Sequence, residues 1–109
     1  MSYEILTTSR FDKEFKTLLK KYKSLPEDIA KLKYLLLQNP KTGVSIGKNA
    51  FKVRLAIKSK HSGKSGGGRI ITYMIDKQGE IYLLTIYDKS EKETITDKEL
   101  KQMIKELTK

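Results

Sequence analysis

The sequence predicts an α+β fold: an N-terminal strand, an antiparallel helix hairpin, a three-stranded antiparallel meander completing a four-stranded sheet, and a C-terminal helix. Three observations carry this. Two apolar stripes at helical spacing stand close together near the N-terminus. A clean polar/apolar alternation over 51–58 is followed by two β-rich runs around a glycine-containing linker. A capping-box pattern then opens a last amphipathic stretch. At 109 residues and 38% hydrophobic composition the chain supports one domain, 1–109, with a modest core.

Tyr3 to Thr8 is a short run with β-branched and aromatic residues, predicted as an edge strand. Ser9 is the expected N-cap of the first helix, with Asp12 in its first turn, where a carboxylate favours the helix dipole. Phe11, Phe15, Leu18, Leu19 and Tyr22 form its core stripe. Pro26 suits the first turn of a second helix, backed by Glu27 and Asp28, and Asn39-Pro40 stops it. Ile29, Leu32 and Leu36 are its stripe, widened by Leu35 and Leu37. The short Lys23-Ser24-Leu25 link makes the two helices antiparallel, expected on one face of the sheet.

Lys41 to Ala50 reads as a connection. From Phe51 to Lys58, strand periodicity sends Phe51, Val53, Leu55 and Ile57 to one side and Lys52, Arg54 and Lys58 to the other, with about 7 Å between alternate residues. His61 to Gly68 is read as a flexible loop. Its Gly63-Lys64-Ser65 is no P-loop, because Lys58 stands where the first glycine belongs and a strand follows instead of a helix. Arg69–Ile75 and Ile81–Tyr87 are then the arms of a hairpin, apolar on both faces and therefore central in the sheet. Thr96 and Glu99 form the capping box of the last helix, whose apolar face is Leu100, Met103, Ile104 and Leu107. That face either packs on the sheet or is offered to a partner.

Charge narrows the function. Of 23 basic residues ten fall between Ile29 and Ile75, a window with no Asp or Glu, and the rest of the chain holds thirteen basic against thirteen acidic residues. The net charge of +10 therefore belongs to the middle of the chain, and a concentrated positive field implies a polyanionic partner. No apolar run approaches a membrane span and no signal-peptide core opens the chain, so a cytoplasmic protein without membrane contact is expected. With no cysteine and the single histidine His61, neither a thiolate nor a multi-histidine metal site can form, and no cofactor is expected. The candidate polyanion contacts are the row Lys52, Arg54 and Lys58, then Lys60, His61 and Lys64 in the loop, and Arg69, Lys89 and Lys92 at the mouths of the hairpin.

The order of elements, together with GGGRIITYMI over 66–75 and IYLLTIYDKSEK over 81–92, resembles the RelE/ParE superfamily of bacterial toxins, the RelE-type and HigB-type branches above all. The resemblance spans nearly the whole chain and is most specific from Phe51 to Leu100. It implies the toxin of a type II toxin-antitoxin system, a small cofactor-free endoribonuclease that enters the ribosomal A site, cuts the bound mRNA and is neutralised by a cognate antitoxin. Cleavage in that family uses the ribose 2′-OH as nucleophile on the adjacent phosphate. Lys52 and Arg54 stand where RelE-type enzymes have two lysines, Arg69 matches their strand arginine, and Lys92, with Lys89 beside it, stands near a basic position after the last strand. The resemblance thus implies Lys52 as proton acceptor, Arg54 and Arg69 as holders of the scissile phosphate, and Lys92 or Lys89 as aid to the leaving group. Arg54 cannot replace a lysine as base, since arginine stays protonated. The family's arginine after the last strand falls at Ser90 here, and its base-stacking aromatic falls near Thr96, with Tyr87 the nearest substitute. Two other classes share the fold or the charge: a ParE-like inhibitor of DNA gyrase and a non-catalytic RNA- or ribosome-binding domain.

Overall fold

The computed structural model describes residues 3–61, 63–92 and 94–107, with only the backbone at Lys64 and Ser65. Its elements run β1 (Glu4–Thr7), α1 (Ser9–Lys21), α2 (Leu25–Gln38), β2 (Val44–Gly47), β3 (Ala50–Leu55), a helical turn α3 (Gly63–Gly66), β4 (Gly68–Ile75), β5 (Glu80–Asp88) and α4 (Asp97–Leu107). The sheet is mixed, in the order β1-β5-β4-β3-β2, with β1 parallel to β5 and every other pair antiparallel. The expected sheet of four strands has five. The extra strand β2 pairs back on β3 through a two-residue turn, Lys48-Asn49, in which both residues have positive φ, 55° and 61°. That is the backbone of a primed hairpin turn, normally built from Asn-Gly or Asp-Gly, so the turn carries none of its usual residue signal.

Thr8 caps α1, one residue earlier than expected: its Oγ1 accepts from the Phe11 amide at 3.1 Å and donates to the Leu84 carbonyl at 3.0 Å, tying the helix start to β5. Phe11 and Leu18 of α1, Tyr22 at its C-cap, and Leu25, Ile29, Leu32 and Leu36 of α2 are buried against Val53, Leu55, Ile70, Ile81, Leu83 and Ile86 of the sheet. The central positions of the predicted stripes are the buried ones, with Phe15 and Leu19 partly buried against them, whereas Leu35 and Leu37, expected to widen the second stripe, are exposed, 48% each.

The opposite face is also covered. Leu100 and Met103 of α4 close a second core over Ala50, Ile71, Leu84 and Tyr87, so helices lie on both faces of the sheet and not on one. A bulge in β5 makes this possible. The register shifts between Ile71↔Thr85 and Thr72↔Leu83, leaving Leu84 as an extra residue. Leu84 and Tyr87, three apart, consequently share the α4 face, while Leu83 and Ile86 share the other. The Glu14 carboxylate serves the bulged segment, accepting from Thr85 Oγ1 at 2.6 Å and from the Ile86 amide at 3.1 Å.

Between β3 and β4 the segment expected as a plain loop contains a 3₁₀ turn (Lys58–Lys60) and the turn α3. Gly67 closes it. A Cβ there would stand 2.1 Å from the Leu55 carbonyl oxygen, so only glycine permits the approach.

Candidate functional site

The site is set by strand register. In β3 the side chains of Val53 and Leu55 enter the α1/α2 core, so Lys52 and Arg54 project to the α4 face. Arg54 pairs directly with Arg69 of β4, and Arg69 in turn with Tyr87 of β5. The residues thus form one row across three strands, with directly opposite Cβ atoms about 5 Å apart. Lys52 lies two residues along from Arg54, opposite Ile71. Arg54 is exposed and Lys52 half-exposed, whereas Arg69 is only 6% exposed, with its Nη1 donating to the Gly68 carbonyl at 2.9 Å.

Two arginines directly opposite each other in a sheet repel, and the usual sheet avoids the pairing. Here it occurs on a segment that contributes no carboxylate of its own. α4 brings an acid, Glu99, whose charge acts on Tyr87 together with that of Arg69. Glu99 accepts from the Thr96 amide and hydroxyl, both at 3.1 Å, and its own amide donates back to Thr96 Oγ1, the predicted capping box. The second carboxylate oxygen lies 2.6 Å from Lys92 Nζ, and these bonds, led by that to Lys92, hold the Glu99 carboxyl down at about 2. Lys92 is therefore half-neutralised where it stands.

Tyr87 is not available to a base. Its ring belongs to the second core, 7% exposed, and burial pushes its phenol up against the pull of neighbouring Arg69. Its Oη is buried with no hydrogen-bond partner among the described residues. The stacking role expected of Tyr87 does not fit this arrangement.

The remaining candidates divide. The row Lys52, Arg54, Lys58 is broken, because β3 ends at Leu55 and Lys58 turns away into the 3₁₀ turn, its amide donating to Asp28 Oδ2 at 3.2 Å. Lys60 lies on the α1/α2 side with its ammonium 2.5 Å from Asp88 Oδ1 and over the Tyr22 ring, and its side chain is only 16% exposed. It is spent inside the protein and not displayed to a polyanion. His61 is exposed, in left-handed backbone at the end of the same turn. The Lys64 side chain lies outside the described residues. Lys89 leaves the end of β5 half-exposed, its amide donating to the Gly67 carbonyl at 3.1 Å.

Asp88 organises the end of β5. Burial works to raise its carboxyl, but bonds from Lys60, from Tyr22 Oη at 2.6 Å and from the amide and hydroxyl of Ser90 outweigh it and hold the group well below the usual carboxylate range. Tyr22, donating to that carboxylate, is pushed up to about 12. The long-range character of this cluster left it unseen in the sequence, where Tyr22 read as core. Among the described residues no three His, Cys, Asp or Glu side chains gather as a metal would require.

A helix hairpin on one face of a mixed five-stranded sheet and a single C-terminal helix on the other define an α+β architecture. It is the fold of the Escherichia coli toxin RelE. A double arginine-to-alanine variant of that toxin in the free state matches with a TM-score of 0.64 at 16% identity, covering 98% of this chain and 99% of that one. The isolated E. coli RelE toxin matches at 0.61 and 16%, covering 97% and 99%. A chain of the intact E. coli RelBE toxin-antitoxin complex matches at 0.60 and 18%, covering 80% and 96%. No family model matches the sequence. Among the described residues no helix is long and apolar enough to cross a membrane.

Proposed function

We propose that the protein is the toxin of a type II toxin-antitoxin pair and a ribosome-dependent mRNA endoribonuclease, working in the cytoplasm and neutralised by a cognate antitoxin. The observation that carries the reading is the Arg54/Arg69 pair: two guanidinium-bearing residues directly opposite each other, with Lys52 alongside. Such a juxtaposition becomes favourable when a phosphate is shared between the cations, since charge-assisted, forked contacts replace the repulsion. The RelE fold and the basic middle of the chain support the same conclusion.

In the reaction the ribose 2′-OH attacks the adjacent phosphorus, the bond to the 5′-oxygen breaks, and a cyclic phosphate is left on the upstream fragment. Lys52 accepts the 2′-OH proton. Exposed Arg54 receives the phosphate first, and Arg69 behind it stabilises charge as the phosphorane forms. The proton for the departing 5′-oxygen comes from Lys89, because Lys92 is held by Glu99. This scheme needs no metal ion.

Primer extension on a reporter mRNA after brief induction tests it, comparing wild type with Arg54→Ala and Arg69→Ala. Cuts at in-frame codon positions that disappear in both variants are expected. Growth arrest with intact mRNA and accumulated cleaved DNA would make the protein a gyrase inhibitor. Arrest with intact mRNA and intact DNA would make it a passive ribosome binder.

A further inference from the structure

On the face of the sheet away from the arginine row, one carboxylate ties three segments of the chain together. Asp88, the last residue of β5, is 2% exposed. It accepts from Tyr22 Oη at 2.6 Å, from Lys60 Nζ at 2.5 Å, and from the amide and hydroxyl of Ser90 at 3.0 and 2.8 Å. Tyr22 brings the end of α1, Lys60 the loop between β3 and β4, and Ser90 the chain leaving β5. The Asp88 carbonyl is engaged as well, accepting from the Glu91 and Lys92 amides at 3.0 and 3.1 Å, which closes the turn that carries Lys89. A further link from α1 to this turn, Lys21 to Glu91 at 3.7 Å, is mostly exposed and contributes little.

The same cluster reaches the start of β4. Lys60 Nζ also donates to the Gly67 carbonyl at 3.4 Å, and that carbonyl accepts from the Lys89 amide at 3.1 Å. The next residue, Gly68, stands directly opposite Asp88 in the strand register and gives its own carbonyl to Arg69 Nη1 at 2.9 Å. The two cations to which the proposed reaction assigns the phosphorane and the leaving oxygen, Arg69 and Lys89, therefore both rise from backbone that Asp88 fixes.

Among the donors to Asp88, Tyr22 is the one rooted in the core. Its ring is 8% exposed within the α1/α2 cluster, and its amide donates to the Leu18 carbonyl at 2.8 Å as the C-cap of α1. The ammonium groups of Lys21 and Lys60 lie 5.6 and 5.9 Å from its ring centre, close enough for attraction to the ring. Ser90 belongs to the turn it fixes, and Lys60 to the loop it fixes. The bond from Tyr22 is the one that refers both to the body of the protein, and a bond to a charged acceptor is among the stronger kinds.

We infer that Tyr22 is a positioning residue of the proposed reaction centre. From the opposite face of the sheet its hydroxyl holds Asp88, and through Asp88 it keeps Lys89 and the Arg69 end of β4 in the arrangement the reaction needs. This role rests on the ribonuclease reading, and it gives Tyr22 no contact with RNA. A displacement of about 1 Å in a reacting group costs up to about 10²-fold in rate, so a loosened turn shows in the chemical step while the fold persists.

The test compares wild type, Tyr22→Phe and Ile29→Val, each checked for folding by its nitrogen-15 NMR spectrum. Cleavage is followed on ribosomes programmed with one defined mRNA at increasing protein concentration. Tyr22→Phe keeps the ring in the core and removes the atom that reaches Asp88, whereas Ile29→Val thins the same core and leaves the cluster intact. Tyr22→Phe is expected to lower the rate at saturation about tenfold, with the half-saturating concentration unchanged within about twofold. It should also speed hydrogen exchange of the Lys89 amide at least about tenfold relative to the mid-sheet Ile70 amide. Ile29→Val should leave the saturating rate and that exchange ratio within about twofold of wild type. A wild type that leaves the mRNA uncut would overturn the ribonuclease reading and this role with it. If wild type cleaves, an undiminished rate in Tyr22→Phe, a loss shared by Ile29→Val, a loss confined to the half-saturating concentration, or unchanged exchange at Lys89 would each overturn the role of Tyr22 and leave that reading standing.

Discussion

The two faces of the sheet treat charge in opposite ways. On the α1/α2 face the charges among the described residues are answered: Lys60 meets Asp88, Tyr22 donates to the same carboxylate, and Glu14 fills the β5 bulge. On the α4 face like charges are set opposite each other, Arg54 against Arg69, and the nearby Glu99 is engaged with Lys92 and its own helix cap. The first arrangement stabilises the fold. The second gathers basic residues on one face, and the proposed reaction places its phosphate there for that reason.

Four measurements break or sharpen the contrast. Asp88→Ala strands the mostly buried Lys60 ammonium and the Tyr22 hydroxyl, and should destabilise the chain by about 3–5 kcal/mol in urea unfolding. A loss below about 1 kcal/mol would mean that the cluster is not what holds the end of β5. Arg54→Ala should do the reverse, removing a repulsion across the strands. Stability should stay within about 1 kcal/mol of wild type or rise, while mRNA cleavage falls about 10²- to 10³-fold. Parallel losses of stability and cleavage would erase the distinction between the faces.

The third measurement uses alkali. Tyr22 is held protonated up to about 12 in the folded protein. A raised folded value means that its contribution to stability is complete below the ordinary tyrosine range, about 10, and is lost as pH rises through the folded value. Phenolate absorbance should therefore show late-titrating tyrosine in the folded wild type, Tyr22 together with buried Tyr87, and Asp88→Asn should move the Tyr22 part of it back toward the ordinary range. The smallest effect is expected at Glu99, held at about 2. Its depressed value makes its contribution present above the ordinary glutamate range and lost as pH falls toward 2. Glu99→Gln should cost about 1 kcal/mol at neutral pH through the cap and the Lys92 pair, and the difference from wild type should vanish in acid. A difference that persists at low pH would assign the loss to packing of α4 instead.

How much of this was legible in the sequence follows from distance along the chain. The helix stripes, the β4–β5 hairpin with its Gly79 turn, and the Thr96/Glu99 box were readable because each is set by neighbours a few residues apart. β2 was missed because Lys48 and Asn49 adopt positive φ without the glycine that ordinarily marks such a turn. The placement of α4 was left open because an amphipathic helix declares an apolar face without naming what it covers.

Composition and local periodicity by themselves determined that this is an α+β protein with its positive charge gathered in the acid-free middle, and that Lys52 and Arg54 share one side of a strand. Tertiary structure alone decided the rest. Register put Arg69 across from Arg54, and the single extra residue at Leu84 put Tyr87 on the α4 face. The return of β5 against the loop after β3 brought Lys60 to Asp88, 28 residues away, and withdrew it from solvent. The reason is physical: period and propensity act within a turn or a strand, whereas the partner of a charge is chosen by how strands line up, and a one-residue shift in that alignment changes which face each side chain meets.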